Sequence, residues 1–184
     1  CIISTNASGI KIGTETAGAF HDILINNCIV YDTRLGGIEL MAVDGAKVER
    51  VTVSNISMNN VQGAAIFIRL ANRARKYDNQ TDAPLGLLKN ILISNVTGTG
   101  IGRYGCSLTG IPQAQLENIA LDNINLTFTG GSGPLYFEGY PDKPVKELTI
   151  NNVPEQEKEY PRCDIFSKLP AYGFYIRHAK NIKL

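Results

Sequence analysis

A short pattern that recurs along the whole chain constrains its fold more than any other feature. It consists of an apolar, a polar, a second apolar and a small polar residue followed by asparagine. The copies are ILINN at 23–27, VTVSN at 51–55, ILISN at 91–95, IALDN at 119–123 and LTINN at 148–152, and an incomplete copy starts at Ile182. Three intervals between the asparagines are 28 or 29 residues, and one is 40. Such a period, with strand-type alternation in each copy, predicts a solenoid.

A second alternating segment follows the asparagines and completes each coil. Ile38, Ile66 and Cys106 each come 11 residues after a repeat asparagine, and the segments around Ile10 and Phe174 have the same form. Short alternating strands cannot bury their apolar faces alone, but stacked coils bury them in one continuous core. The sequence therefore predicts an all-β fold, a right-handed parallel β-helix. It would form a single partial domain over residues 1–184, without an N-terminal cap.

Two stretches interrupt the period. Residues 71–86 are polar, with basic side chains before acidic ones, and residues 154–172 are of mixed composition. In a solenoid such insertions emerge as loops on one face of the stack, and that face is often the binding face. We therefore expect loop insertions at about 71–86 and 154–172, close to the second strand of their coils.

The repeat asparagines have a structural explanation. Asparagine tolerates the left-handed backbone conformation that turns require. Side-chain amides stacked at the spacing of the coils can also bond to one another as a ladder, as they do in cross-β stacks. We expect a buried ladder of five residues, namely Asn27, Asn55, Asn95, Asn123 and Asn152.

Composition and charge narrow the classes of function. The formal net charge is +1 over 184 residues, whereas a nucleic-acid-binding protein carries a basic patch or stripe. No apolar run has the length of a membrane span. The four cysteines lack metal-ligand spacing, so they are small buried thiols or include a disulfide. No cofactor and no metal site is predicted.

In the second strand of each coil, the residue between two inward-pointing residues should point outward. Stacking of the copies would align these side chains in two rows. The first row would hold Lys11, Glu39, Phe67, Ser107, Tyr136 and Tyr175, and the second Gly13, Met41, Arg69, Thr109, Glu138 and Arg177. Aromatic rings with arginine forks suit a sugar polymer, because rings stack on pyranose faces and guanidinium groups bind carboxylates. The alternative is a solvated face on which Lys11 and Glu39 form a weak surface ion pair.

Several blocks in order resemble glycoside hydrolase family 28, the polygalacturonase-like β-helices, and in particular a bacterial subgroup. They are GIKIGTETAGAF at 9–20, HDILINNCIVYDT at 21–33, GGIELMAVDGAKVERVTVSNISM at 36–58, AAIFIRLANR at 64–73 and AYGFYIRH at 171–178. The resemblance implies hydrolysis of pectin-type or related plant polysaccharides with inversion, by two carboxyl groups about 6.5–9.5 Å apart. It places the catalytic aspartates upstream of Cys1, so that the chain alone would be inactive. It also implies a secreted, periplasmic or cell-surface protein.

Two motifs depart from the family pattern. Residues 7–9 read Ala-Ser-Gly where the family usually has Gly-His-Gly, and residues 39–41 read Glu-Leu-Met where polygalacturonases have the Arg-Ile-Lys that grips galacturonate. Loss of this cationic pair argues against polygalacturonate as the substrate. It favours a rhamnogalacturonan-type, xylose-substituted or neutral linkage.

The predicted sugar contacts combine the outward rows with the polar residues beside them. They are Lys11, Glu15, Glu39, Arg69, Arg73, Tyr136, Tyr175 and Arg177. The expected partner is a polysaccharide or oligosaccharide. Two alternatives remain open from the sequence: a calcium-dependent polysaccharide lyase on the same fold, and a non-catalytic carbohydrate-binding or structural β-helix.

Overall fold

A computed structural model describes residues 1–77, 83–131, 136–137 and 140–184, and these residues contain strands and turns but no helix. The thirteen strands are β1 (Ile2–Thr5), β2 (Ile10–Ile12), β3 (Ala19–Thr33), β4 (Ile38–Ala42), β5 (Lys47–Val61), β6 (Ile66–Leu70), β7 (Leu87–Ile101), β8 (Cys106–Thr109), β9 (Leu116–Phe128), β10 (Tyr136–Phe137), β11 (Tyr140–Pro144), β12 (Phe174–Arg177) and β13 (Ala179–Lys183). The predicted all-β fold is confirmed.

Eleven of these strands form two parallel sheets, the arrangement of a parallel β-helix. The long sheet has the order β1-β3-β5-β7-β9-β13, and the short sheet has the order β2-β4-β6-β8-β12. The repeat sets the register of the long sheet, because Ile23 pairs with Val51, Val51 with Ile91 and Ile91 with Ile119. Each coil thus contributes one strand to each sheet, as the two alternating segments predict.

Apolar residues at alternate positions of both sheets meet in one continuous core between them. Val53 and Ile93 of the long sheet and Ile68 and Leu108 of the short sheet are fully buried there. Branched aliphatic side chains suit the pleated surface of a strand, and stacking of the coils places like residues above one another. The core thus follows directly from the period-2 pattern.

The predicted asparagine ladder forms, but with four members and on the outer surface. Asn27, Asn55, Asn95 and Asn123 all have left-handed backbones, with φ between 52° and 56°. The side-chain amides of Asn55, Asn95 and Asn123 each donate to the Oδ1 of the asparagine one coil earlier, over 3.1, 3.2 and 2.8 Å. The prediction that the ladder is buried is wrong, because the corner of the coil faces solvent.

The repeat copy at 148–152 is not part of the solenoid, so its prediction is wrong. β13 pairs directly with β9, Ile182 opposite Ile119, and residues 148–152 lie in a turn outside both sheets. The Oδ1 of Asn152 accepts a hydrogen bond of 2.7 Å from the amide of Thr149 instead of joining the ladder. The incomplete copy at Ile182 is the true continuation of the repeat.

In two intervals between the coils, the described residues form no solenoid strand. The described parts of 71–86, residues 71–77 and 83–86, contain no strand, and residues 78–82 lie outside the described residues. The second interval runs from the end of β9 at Phe128 to the start of β12 at Phe174, and it includes the antiparallel pair of β10 and β11. We call residues 145–173 the covering segment, because they pack on the outer face of the short sheet.

The cysteines are free thiols. Cys28, Cys106 and Cys163 are buried, and Cys1 is exposed. The sequence allows either buried thiols or a disulfide. The structure describes all four cysteines and has three buried thiols, the exposed thiol of Cys1 and no disulfide.

Candidate functional site

The outward rows of the short sheet form largely as the sequence predicts. Lys11 pairs with Glu39, Glu39 with Phe67, Phe67 with Ser107, and Ser107 with Tyr175. Tyr136 is not a member of this row, because β12 pairs directly with β8 and β10 pairs with β11.

The second row joins Met41, Arg69, Thr109 and Arg177. Its predicted member Glu138 lies outside the described residues. The two arginines therefore lie on either side of Thr109, on β6 and β12, and point to the same face of the short sheet.

This face of the short sheet is covered rather than open. Glu39, Phe67 and Arg69 have no solvent exposure, and Tyr175 is 7% exposed. An apolar cluster separate from the main core lies over the face, and it includes Met41, Val43, Ala64, Phe67, Ala71, Ile111, Val153, Cys163, Phe166, Leu169 and Tyr175. The expectation of an exposed binding face is therefore wrong for these positions, because the covering segment packs its own apolar side chains on them.

Arg69 binds the covering segment to the coil. Its guanidinium donates to Thr109 Oγ1 at 3.2 Å and to the carbonyl of Gly110 at 3.0 Å, both on the coil. It also donates to the carbonyls of Glu155 and Gln156 at 2.5 and 3.2 Å. These contacts give donors to the buried carbonyl of Gly110 and to the half-buried carbonyls of Glu155 and Gln156.

Arg177 binds two further carbonyl groups of the covering segment. It donates to the carbonyls of Val153 and Pro154, both at 2.8 Å, and one of its nitrogens lies 3.4 Å from Glu155 Oε1. Together with Arg69 it therefore binds four successive carbonyl oxygens, from residues 153 to 156. The two predicted sugar-binding arginines thus hold a segment of their own chain in this structure.

Burial of Arg69 disfavours the charged form of its guanidinium group. Burial is the main cause that lowers the pKa of Arg69, to about 10, and repulsion from Arg177 adds to it, while Glu155 and Glu157 act in the opposite direction. The guanidinium lies over the ring of Phe166, 5.1 Å from its centroid. Arg69 stays charged at neutral pH, so its interaction with the carbonyls is charge-assisted and strong.

Lys11 and Glu39 form an ion pair at the N-terminal end of the first row. Lys11 Nζ lies 3.5 Å from Glu39 Oε2, and the lysine side chain is 23% exposed whereas the glutamate is fully buried. The other oxygen, Glu39 Oε1, accepts a hydrogen bond from the Gly36 amide at 3.2 Å. Of these two predicted contacts, Lys11 alone is open to a ligand here.

The remaining predicted residues, Glu15 and Arg73, belong to an open cluster on three successive turns. Glu15 follows β2, Asp44 follows β4, and Arg73 and Arg75 follow β6. Tyr160 of the covering segment completes this group, which we call the Arg73 cluster. Sequence reasoning missed Asp44, Arg75 and Tyr160, although the position of Asp44 directly after a solenoid strand was a usable signal.

Asp44 is the buried anchor of the Arg73 cluster. It accepts hydrogen bonds from Arg73 through both carboxylate oxygens, from the Arg75 amide at 3.0 Å and from the Tyr77 hydroxyl at 2.9 Å. Burial raises the pKa of Asp44, but the hydrogen bonds from Arg73, the Arg75 amide and Tyr77 outweigh it, so the pKa lies below its usual value. Asp44 is thus a fixed anion that orients Arg73.

The outer part of the Arg73 cluster is accessible to a ligand. The side chains of Glu15 and Arg75 are 52% and 60% exposed, and they form an ion pair of 3.1 Å. Tyr160 is 55% exposed, its ring lies 5.7 Å from the Arg73 guanidinium, and its hydroxyl accepts from Thr14 Oγ1 at 3.0 Å. A carboxylate, a guanidinium and an aromatic ring thus meet at one open edge of the short sheet.

Comparison with known proteins adds no family assignment. No protein-family model, no curated protein and no solved structure matches the chain. Within the part of the chain that the structure describes, no group of three or more His, Cys, Asp or Glu side chains could hold a metal ion. The described residues also contain no helix of the length and apolarity needed to cross a membrane.

Proposed function

We propose that the chain is part of a polysaccharide-degrading glycoside hydrolase that resembles family 28, with its catalytic carboxyl groups upstream of Cys1. The substrate would be a pectin-type or related plant polysaccharide, and the protein would act outside the cytoplasm, secreted, periplasmic or at the cell surface. The observation that carries the proposal is the Arg73 cluster. It is open, it combines Glu15, Arg75 and Tyr160, and it lies past the C-terminal ends of β2, β4 and β6.

The chemistry of the Arg73 cluster supports a sugar ligand. Arginine and glutamate offer donors and acceptors to hydroxyl groups, and a tyrosine ring can pack on the apolar face of a pyranose. Arg73 is oriented by the buried Asp44, so part of the site is organised before a ligand binds. The replacement of a cationic pair by Glu39 and Met41 supports a substrate other than polygalacturonate.

A second candidate function is a non-catalytic carbohydrate-binding β-helix. It is favoured by the covering segment, which buries Phe67, Arg69 and Tyr175 on the face where a cleft was expected. Both candidates use the Arg73 cluster for binding, and they differ in whether any glycosidic bond is cleaved.

Binding at the Arg73 cluster is tested by calorimetric titration of the chain with rhamnogalacturonan, xylose-substituted, neutral and galacturonate oligosaccharides. We expect Arg75→Gln to weaken binding of the preferred oligosaccharide about tenfold, the loss of one charge-assisted hydrogen bond. The matched control is Arg50→Gln, because Arg50 is an exposed arginine on the long sheet that also pairs with a carboxylate. Equal affinity of the Arg75→Gln variant and the unchanged chain would remove the support for this site.

A further inference from the structure

A groove that belongs to neither the Arg73 cluster nor the rows of the short sheet lies within the covering segment. Its volume is about 400 Å³, and its walls are residues 147–149 and 168–172. Sites for small ligands typically have volumes of about 300–1,000 Å³, so one sugar ring fits comfortably.

The walls of the groove are tied together by backbone hydrogen bonds. The Leu148 amide donates to the Lys168 carbonyl at 3.1 Å, and the Lys168 amide donates to the Lys146 carbonyl at 3.2 Å. The Leu169 amide donates to the carbonyl of Tyr104 at 3.1 Å, which fixes one wall to the solenoid. The groove is therefore formed without a ligand, and binding would require little ordering of the backbone.

One side of the groove presents an ion pair to solvent. Lys168 Nζ bonds to Glu147 Oε1, and the side chains are 17% and 72% exposed. The two charges of the pair compensate each other, so the pair offers a donor and an acceptor, and the positive charge of Arg103 acts more weakly on both groups. An anionic ligand would have to displace Glu147 from Lys168 and then lie beside a free carboxylate, which is unfavourable.

The other side of the groove is aromatic and apolar. Tyr172 is 37% exposed, its ring packs 6.1 Å from that of Phe128, and its hydroxyl donates to the Gly131 carbonyl at 3.4 Å. The Lys168 ammonium group lies 5.7 Å from the centroid of the Tyr172 ring, so the ion pair borders the aromatic surface. Leu169 and Pro170 line the same groove. This surface suits the C–H face of a pyranose ring.

We propose that this groove is a second saccharide site, specific for a neutral, hydroxyl-rich ring. The ring packs against Tyr172 and Pro170, and its hydroxyl groups bond to the Glu147 carboxylate and the Lys168 ammonium group. The site shares its class of ligand with the proposed function but uses no residue of the Arg73 cluster. It would hold a saccharide on the insertion rather than on the solenoid.

Amide chemical shifts of the nitrogen-15-labelled chain test the two sites separately in one titration. With a neutral xylo- or galacto-oligosaccharide at millimolar concentration, we expect saturable amide shifts at residues 147–149, 168, 169, 171 and 172, because Pro170 has no amide proton. We expect Glu147→Gln to weaken this binding about tenfold, because the charged acceptor is lost. The same variant frees Lys168 and should strengthen binding of a galacturonate oligomer, a change of preference that a merely structural ion pair would not produce.

The matched control for this experiment is Glu117→Gln, which removes the carboxylate of another exposed Glu–Lys pair, with Lys180, on the long sheet. It should leave both affinities unchanged. Absence of shifts in the groove at saturating ligand would overturn the second site, even if shifts at Glu15 and Arg75 support the proposed function. Unchanged preference in the Glu147→Gln variant would overturn the assignment of the groove to a neutral ring.

Discussion

Replacing Arg69 with methionine should lower the free energy of unfolding by about 3 kcal/mol, because one buried and two half-buried carbonyl oxygens lose a charged donor at once. The acceptors affected are those of Gly110, Glu155 and Gln156. Methionine keeps much of the apolar stem, so the change reports on the guanidinium rather than on lost volume. Urea unfolding followed by circular dichroism measures the difference.

The control for this experiment is Arg50→Met, at an arginine with a half-exposed side chain that pairs with Asp22 on the surface. Exposed ion pairs contribute little, so we expect little change. Hydrogen exchange should also show that hydrogen-bonded amides of the covering segment, such as those of Leu148 and Leu169, lose protection in the Arg69→Met variant. If the Arg69→Met variant is as stable as the control, Arg69 does not hold the covering segment. That result would favour the sequence-based prediction that Arg69 contacts a ligand.

The second large effect is expected from Gly102→Ala. An added Cβ at Gly102 would lie 1.8 Å from the carbonyl oxygen of Gln62 and 2.8 Å from that of Gly63. Both atoms belong to the backbone of the preceding coil, which cannot move without breaking the hydrogen bond from the Gly102 amide to the Val61 carbonyl. We therefore expect a loss of about 3 kcal/mol in the free energy of unfolding, as for severe overpacking.

Gly18→Ala is the matched control, because a Cβ there would meet no atom within 4 Å. It should leave stability unchanged or raise it slightly by restricting the unfolded chain. Thermal unfolding of the two variants in parallel makes the comparison. Similar melting temperatures for both would mean that the two coils are not stacked as closely as the structure places them.

The solenoid could be predicted from sequence because its information is local and repeated. The alternation around Ile23, Val51, Ile91 and Ile119 defines one strand per coil. The asparagine that follows has a left-handed backbone and bends the strand at that residue. Each copy supports the same assignment, so an error in one copy does not change the fold. The two rows of outward side chains follow from the same register.

What the sequence did not predict depends on contacts between distant residues. LTINN at 148–152 satisfies the local pattern, yet β9 does not pair with it. β9 pairs with β13 instead, whose Ile182 lies 30 residues after Asn152 in the chain. Outward direction of Arg69 and Tyr175 could be predicted, but not that Phe166 and Val153 would pack on that face. The Arg73 cluster contains residues from three turns and from the covering segment. No short sequence motif indicates that residues so far apart in the chain are in contact.

The measurement that tests the proposed activity most directly is proton NMR of the anomeric signals during digestion of a pectin-type polysaccharide. The sample is the longer protein that the proposal requires, with catalytic residues upstream of Cys1, and the chain of 184 residues serves as the comparison. We expect the first sugar released by the longer protein to have the inverted anomeric configuration, with no cleavage by the chain alone. Retained configuration, an unsaturated product or cleavage by the chain alone would contradict the proposal, and no cleavage by either would favour the non-catalytic β-helix.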